Sequence, residues 1–243
     1  MFDKPSTRTR VSFETGVHEL GGHPLVLREG ELQLARGESP RDTALVLSRM
    51  VHAVGIRTGP HETVEQLARH ARIPVINMLT QEHHPCQALA DLMTLRERFG
   101  RLEGLKLAYV GDGNNVARSL RIASKRAGIL IAIATPPELA LPDVEPLPLE
   151  EAVRGAHAVY TDVWISMGDE DDAEHKRALL APFRVDEELL AQARDDAVAL
   201  HCLPAHPGEE ISEGVLYGER SAVWDQAENR LHAQKALLEL LMS

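Results

Sequence analysis

Short apolar runs alternate with helix-patterned segments along the whole chain, and this alternation restricts the possible folds more than any other feature. Apolar runs at 105–110, 129–134 and 156–161 have strand length, and apolar residues at helical spacing occur between them. Strands that alternate with helices form parallel sheets covered by helices. We therefore predict an α/β protein with two domains, each a parallel sheet flanked by helices.

The remaining elements follow from the same patterns, from proline and glycine punctuation and from helix-start residues. A polar, glycine-flanked stretch at 29–39 indicates a loop with functional potential, and five prolines at 135–148 indicate an irregular connection. The predicted strands are 24–27, 51–57, 73–77, 105–110, 129–134, 156–161, 197–200 and 221–224. The predicted helices are 11–20, 40–50, 62–71, 88–99, 116–127, 150–154, 186–193 and 225–241.

Bulk properties exclude several classes of protein. The 243 residues are 44% hydrophobic, which is enough for one large or two smaller domains. The net charge of −11 argues against nucleic acid as a partner. Two cysteines, Cys86 and Cys202, make neither a disulfide nor a metal framework, which favours a reducing cytoplasm. No apolar run has membrane length and no signal peptide is evident.

Residues 6–10 read Ser-Thr-Arg-Thr-Arg, with three hydroxyls and two guanidiniums in succession. Val11, Phe13, Val17 and Leu20 indicate that a helix begins within or just after this run. A helix N-terminus favours anions, and arginine binds phosphate in a bidentate manner. The run is thus a candidate phosphate site, and the alternative is a polar helix cap with two solvated arginines.

Further polar groups stand at the ends of predicted strands, where crevices form in α/β proteins. Arg57 follows one strand, and its alternative role is a salt bridge. Cys202 follows another strand and is a candidate reactive group or a small buried hydrophobe. Arg230 lies near the predicted start of the last helix, where the dipole does not favour a cation, so we expect an anionic partner for it.

Two motifs give weaker signals. Gly111-Asp112-Gly113-Asn114-Asn115-Val116 resembles a dinucleotide-binding turn, but Val116 replaces its third glycine, and the asparagines suit a polar ligand instead. His83 and His84 are adjacent, yet no further ligand follows at metal-binding spacing, and we predict no metal.

Together, four motifs resemble the aspartate/ornithine carbamoyltransferase family. They are Phe-x-Lys-Pro-Ser-Thr-Arg-Thr-Arg-x-Ser-Phe-Glu at 2–14, His-Pro-Cys-Gln-Ala-Leu-Ala-Asp at 84–91, Asp-x-Trp-x-Ser-Met-Gly at 162–168 and His-Cys-Leu-Pro at 201–204. The last two are similar to the ornithine branch, and the proline-rich turn expected of the aspartate branch is absent from the sequence. The resemblance covers nearly the whole chain, in the family's order.

This resemblance implies roles for individual residues. Carbamoyl phosphate would be bound by Ser6, Thr7, Arg8, Thr9, Gln33, Arg57, His84, Gln87, Cys202, Leu203 and Arg230, with Gln33 reaching the site of a neighbouring subunit. Ornithine would be bound by Asn115, Asp162, Ser166 and Met167. The implied catalytic residues are Arg57, His84, Asp162 and Cys202. The family uses no metal or organic cofactor and is built on trimers, so a trimer or a multiple of trimers is expected.

We expect a carbamoyl-phosphate-binding domain at 1–99, an ornithine-binding domain at 100–225 and a C-terminal helix at 226–243 that packs back on the first domain. A cleft between the domains would enclose small-molecule substrates, with no nucleic acid or membrane as partner. Family chains begin several tens of residues earlier, with a helix and a strand whose absence would expose a sheet edge, and the connection at 135–148 is short beside theirs.

Three hypotheses besides an ornithine carbamoyltransferase stay open from the sequence. The acceptor could be another amine, such as putrescine or an acylated ornithine. The chain could be a truncated, non-catalytic relative that binds a ligand or partner. An NAD-dependent dehydrogenase is the most distant hypothesis, because it depends on Gly111 and Gly113 alone.

Overall fold

The structure is a computed structural model that describes residues 1–166 and 172–243. The described chain forms two compact units. The first comprises residues 1–90 and 230–243, and the second comprises residues 91–229. Both contain parallel strands flanked by helices, which confirms the predicted α/β class.

The first unit is built on a two-stranded parallel sheet. Strand β1 (Val54–Arg57) pairs with β2 (Val75–Leu79), and the register shifts between Ile56 and Arg57. Its helices are α1 (Thr7–Glu19), α2 (Pro40–Leu47), α3 (His61–His70), the start of α4 (Pro85–Phe99) and the end of α10 (Val223–Met242). The stretch predicted as a loop at 29–39 contains two 3-10 turns, Glu29–Glu31 and Gln33–Arg36.

The first residues of the chain extend the edge of this sheet. Phe2 forms isolated parallel bridges with Arg28 and with Arg57. Phe2 also packs in an apolar cluster with Ile76, Met78 and Leu238. Leu238 belongs to α10, so the prediction that the C-terminal helix returns to the first domain is confirmed.

The second unit contains a four-stranded parallel sheet in the order β4-β3-β5-β6. The strands are β3 (Lys106–Val110), β4 (Leu130–Ala134), β5 (Ala158–Thr161) and β6 (Val198–His201). The helices are α5 (Asn115–Ala127), α6 (Leu149–Val153), α7 (Ala173–Leu180), α8 (Glu187–Ala191) and α9 (Glu213–Leu216), with the remainders of α4 and α10.

Side chains of this sheet alternate between two buried faces, as the period of a strand requires. Leu107 and Tyr109 contribute to one core cluster, and Ala108 and Val110 to another. Because both faces are covered, the strands read as continuous apolar runs. Because β3, β5 and β6 are parallel, their carboxyl ends lie along one edge of the sheet. Each of these ends is followed by a polar segment.

Two predicted strands are wrong. At 24–27, Leu27 accepts one backbone hydrogen bond from Phe2, while Pro24 has no N–H to donate and Leu25 is exposed. At 221–224, Ser221 forms a single bridge with Ala199 before the chain enters α10. Ala222 and Val223 are buried and Trp224 is exposed, so this run leads into the first turn of a helix, which period alone does not distinguish from a short strand.

Two further findings concern connections and membranes. The connection at 135–148 is irregular except for the 3-10 turn Pro137–Leu139, as predicted. Among the described residues, no helix combines the length and apolar character needed to cross a bilayer.

Candidate active site

In the first unit, the Ser-Thr-Arg-Thr-Arg run forms the start of α1, as predicted. Ser6 is the N-cap, and its hydroxyl accepts a hydrogen bond from the backbone N–H of Thr9 at 3.3 Å. Thr7 is exposed, Arg8 is half-buried and Thr9 is buried. The second arginine, Arg10, forms an i,i+4 ion pair with Glu14 at 2.5 Å.

Arg230 joins this helix start to the start of α4. Its guanidinium donates to Thr9 Oγ1 at 3.2 Å and to Gln87 Oε1 at 2.8 Å. With the amide of Gln234 in the orientation that satisfies both groups, its oxygen accepts from Nε and Nη2 of Arg230 at 3.1 Å each. All four side chains are buried.

These contacts correct one expectation about Arg230. Helix α10 begins at Val223, so Arg230 lies two turns inside the helix and not near its start. The described acceptors of its guanidinium are neutral oxygens, and the anionic partner expected from the sequence stays a prediction. Neutral acceptors hold the guanidinium in place and leave its charge in the site.

His84 precedes α4 and is buried. Burial lowers the pKa of its imidazole well below the usual value, and the guanidiniums of Arg230, Arg57 and Arg8 lower it further. The ring is therefore neutral at physiological pH. Three guanidiniums thus affect the pKa of one buried side chain, and a concentration of positive charge of this kind suits an anionic ligand.

Arg57 is the last residue of β1, and its side chain is buried. Gln33 opens the 3-10 turn Gln33–Arg36 and is exposed. Among the described residues, no side-chain hydrogen bond joins Gln33 to the Arg230 cluster.

In the second unit, Asp162 follows β5 and is held by three neutral donors. The backbone N–H of Val163 and the thiol of Cys202 donate to Oδ1, each at 2.8 Å. The side-chain amide of Asn114 donates to Oδ2, also at 2.8 Å. The structure therefore brings together two predicted site residues from the ends of β5 and β6.

Asn114 is a residue that the sequence interpretation did not select. Its Oδ1 caps α5 by accepting from the N–H groups of Val116 and Ala117, which leaves the amide nitrogen for Asp162. The predicted ornithine ligand Asn115 is the first residue of α5 and is half-buried. A search for the N-cap would have identified Asn114, because asparagine is strongly preferred there.

The His-Cys-Leu-Pro loop at 201–204 is supported by a buried pair, His201 and Glu210. His201 Nδ1 accepts from the N–H of Leu203 at 2.8 Å, so its proton is on Nε2, which lies 3.2 Å from Glu210 Oε1. The Leu203–Pro204 peptide bond is cis, and Leu203 has φ of 60°, in a region that non-glycine residues rarely occupy. Non-glycine residues with such a φ concentrate at functional sites.

Two predicted ornithine ligands follow Asp162. Ser166 is half-buried. Met167 and Gly168 lie outside the described residues. The structure therefore locates one of these two ligands.

Two groups of side chains have metal-ligand spacing among the described residues. They are Asp162, His201 and Cys202, and His206, Glu209 and Glu210. In the first group, His201 uses both ring nitrogens for hydrogen bonds, and Cys202 donates to Asp162. In the second, His206 is exposed and Glu210 is already engaged by His201. We derive no metal-dependent step from either group.

Comparisons with known proteins agree with these features. Two models of the aspartate/ornithine carbamoyltransferase family match the chain, the carbamoyl-P binding domain over residues 1–97 and the Asp/Orn binding domain over residues 103–241. The ornithine carbamoyltransferase of Methanoculleus marisnigri is 52% identical over 259 aligned residues, covering 100% of this chain and 83% of the relative.

Solved structures give the same result. The ornithine carbamoyltransferase from Pyrococcus furiosus superposes with a TM-score of 0.95 at 49% identity, covering 99% of this chain and 82% of that one. An N-acetyl-L-ornithine transcarbamylase superposes with a TM-score of 0.87 at 29% identity, covering 99% of this chain and 87% of that one. Since both domain models match and the likeness extends over the whole chain, the chain belongs to the aspartate/ornithine carbamoyltransferase family.

Proposed function

We propose that this protein transfers the carbamoyl group of carbamoyl phosphate to the δ-amine of L-ornithine, forming L-citrulline and phosphate. The comparisons confirm the prediction of a carbamoyltransferase of the ornithine type, because relatives near 50% identity over the full chain carry that name. The observation that carries the proposal is the buried guanidinium of Arg230, which donates to Thr9 at the start of α1 and to Gln87 at the start of α4.

The first unit provides what a carbamoyl phosphate site needs. Thr9, at the start of α1, and Arg230 share a hydrogen bond, so hydroxyl, helix N-terminus and guanidinium are available together. In our proposal Ser6, Thr7, Arg8 and Thr9 bind the phosphate and carbamoyl oxygens, and Arg57, His84 and Gln87 hold the carbamoyl group. A neutral imidazole can donate one N–H to the carbamoyl oxygen.

The second unit provides a site for an amine. Asp162 is buried and ionisable, and its three described donors are uncharged. Its negative charge is thus available to an ammonium group. We assign the δ-amine of ornithine to Asp162 and Cys202, and the amino-acid end to Asn115, Ser166 and Met167. Leu203 completes the site beside Cys202.

The reaction follows from these groups. An alkylamine has a pKa of about 10.4, so the δ-ammonium must lose a proton before its nitrogen can attack. Asp162 is the group we assign to accept that proton, and Cys202, whose thiol donates to Asp162, is assigned to position the amine. A bond forms between the δ-nitrogen and the carbamoyl carbon, and the bond from that carbon to the phosphate oxygen breaks.

Negative charge grows on two oxygens during this step. We assign Arg57, Thr9 and His84 to the carbamoyl oxygen and Arg8 to the departing phosphate. A fixed donor of this kind contributes about 3 kcal/mol to transition-state stabilisation. Holding both reactants at once supplies much of the remaining acceleration.

The decisive experiment is an assay of carbamoyl transfer by this chain from carbamoyl phosphate to L-ornithine, putrescine or N-acetyl-L-ornithine. We expect turnover with L-ornithine, and little with the two other amines. The lower identity to the N-acetyl-L-ornithine transcarbamylase, 29% against 49%, favours the unmodified substrate. Turnover of putrescine without turnover of ornithine would contradict the assignment.

The non-catalytic relative and the dehydrogenase are each tested by a binding measurement. Calorimetric binding of carbamoyl phosphate without product would favour a non-catalytic relative. Binding of NAD would favour the dehydrogenase, which rests on a glycine turn whose third glycine is replaced by Val116.

We also propose a homotrimer, or a multiple of trimers, in the cytoplasm. The exposed position of Gln33 is compatible with contact to a neighbouring subunit's substrate. Both cysteines are free, which suits a reducing compartment. Sedimentation with and without carbamoyl phosphate tests the assembly, and a Gln33→Ala variant tests the shared site.

A further inference from the structure

A buried ion pair in the second unit has no place in the reaction described above. Nζ of Lys176, in α7, lies 2.9 Å from Oδ2 of Asp112, in the turn between β3 and α5. The two side chains are 13% and 8% exposed. Moving two charges out of water costs several kcal/mol per ion, and apolar residues of similar volume are often equally stabilising. Stability alone therefore does not account for this pair.

The turn that contains Asp112 is closely packed. A Cβ atom on Gly113 would lie 2.2 Å from the backbone oxygen of Leu139, which excludes any other residue there. The N–H of Gly113 also donates to that oxygen at 3.0 Å. Lys176 adds a second attachment, this time to the side chain of Asp112.

The backbone oxygen of Asp112 connects the turn to the amine site. It accepts from the hydroxyl of Tyr109 and from the N–H of Asn114, each at 2.8 Å. Asn114 in turn donates its side-chain amide to Asp162. The ion pair is thus two residues from the group that orients the carboxylate of Asp162.

Charge gives a second connection. Tyr109 is buried, and burial raises its pKa well above the usual value, with Asp162 and Asp112 adding to the effect. Both carboxylates therefore act on the same phenol. Lys176 places a positive charge 2.9 Å from the carboxylate of Asp112, on the turn that also contacts Tyr109.

We propose that Lys176 is a positioning residue of the ornithine site: through Asp112 it fixes the turn that presents Asn114 to Asp162. This inference rests on the proposed function and assigns to it a residue outside the family motifs quoted above. It also accounts for a lysine buried beside an aspartate, in a helix that contains no motif residue.

The test compares Lys176→Met with Lys125→Met, a change at an exposed lysine of α5 in the same unit. In Lys176→Met we expect the KM for L-ornithine to rise about tenfold, the effect of about 1.4 kcal/mol, while the KM for carbamoyl phosphate changes less than about twofold. Lys125→Met should match the parent protein in both constants.

Two further variants separate positioning from general destabilisation. Lys176→Arg retains the charge and should recover most of the affinity for ornithine. In the double variant Asp112→Asn with Lys176→Met, no uncompensated charge remains, so its KM for ornithine should be lower than that of Lys176→Met alone. A purely structural role would raise both KM values together and would show no such recovery.

The outcomes for the inference and for the proposed function are distinct. If the parent protein forms no citrulline from ornithine, the proposed function fails, and calorimetric titration of L-ornithine into the parent and Lys176→Met still tests the inference. If the parent is active and Lys176→Met has the same ratio of KM values as Lys125→Met, the inference fails and the proposed function stands.

Discussion

Replacing Arg230 with methionine tests the proposed carbamoyl phosphate site most directly. The change removes a buried guanidinium and takes this donor away from three neutral acceptors, on Thr9, Gln87 and Gln234. A buried group that loses its partner costs about 1–3 kcal/mol. These acceptors include hydroxyl and amide groups that can reorient, which limits the cost. We therefore expect a loss of stability of about 2–4 kcal/mol without ligand.

The folded variant should also lose catalytic efficiency, and this loss is separate from the loss of stability. If Arg230 faces the anionic substrate, the variant loses a charged donor worth about 3 kcal/mol, or about 150-fold in kcat/KM for carbamoyl phosphate. Steady-state citrulline formation measures this quantity at a temperature where the variant is folded. A thermal-shift titration with inorganic phosphate measures the loss of anion binding independently of turnover.

Two matched variants make the result interpretable. Arg69→Met alters an exposed arginine of α3 in the same unit and should leave kcat/KM unchanged. Arg230→Lys retains the positive charge but not the planar fork, so it should lie between Arg230→Met and the parent. If Arg230→Met is folded and its kcat/KM is within about threefold of that of Arg69→Met, Arg230 does not face the anion, and the site as proposed is wrong.

The remaining predictions concern the two thiols and His84. Cys202→Ser should impair use of ornithine more than binding of carbamoyl phosphate, as measured by the two KM values; the reverse pattern would place the thiol with the other substrate. Burial raises the pKa of the Cys86 thiol from 9.0 to about 11, so the folded state holds a proton that the unfolded state loses in this interval. Stability should therefore decrease as the pH rises through this interval, by about 2.7 kcal/mol at most over the complete titration, and a Cys86→Ala variant should show a smaller decrease in denaturant titrations. For His84 the folded-state pKa lies below the unfolded value of 6.5, so the unfolded chain binds more protons below that pH. Stability should fall as the pH drops through that region, and His84→Gln should show a weaker dependence; an identical dependence would mean that the imidazole is not the titrating group.

The sequence predicted the fold class and the position of most elements, because long periodic segments carry strong signals. It located the start of α1, where a serine cap precedes a helical pattern, and the motif residues that follow β1, β5 and β6. It was wrong for the apolar runs at 24–27 and 221–224. Four apolar or weakly polar residues have no decisive period, and tertiary packing determines whether they pair or begin a helix.

Contacts between segments that are distant in the chain could not be predicted from the sequence, for a different reason. Gln87 and Arg230 are separated by 143 positions, and no local pattern connects an amide to a guanidinium at that distance. The choice between Asn114 and Asn115 depended on which residue caps the helix, a difference of one position that pattern analysis rarely resolves. Lys176 lay in a charged stretch that favours a solvated surface, so its burial could not be anticipated.

The kinds of partner around each charge indicate what the charge is for. Lys176 and Asp112 form an ion pair with each other, and in our inference this pair contributes position. Arg230 and Asp162 are also held firmly, but by hydroxyl, amide, thiol and backbone groups that carry no charge. Neutral partners fix the geometry of an ionic group and leave its field intact, and a preorganised field is what stabilises charge in a ligand or transition state. By this criterion the first unit presents a positive charge to an anion and the second a negative charge to an amine, the complementary requirements of the two substrates we propose.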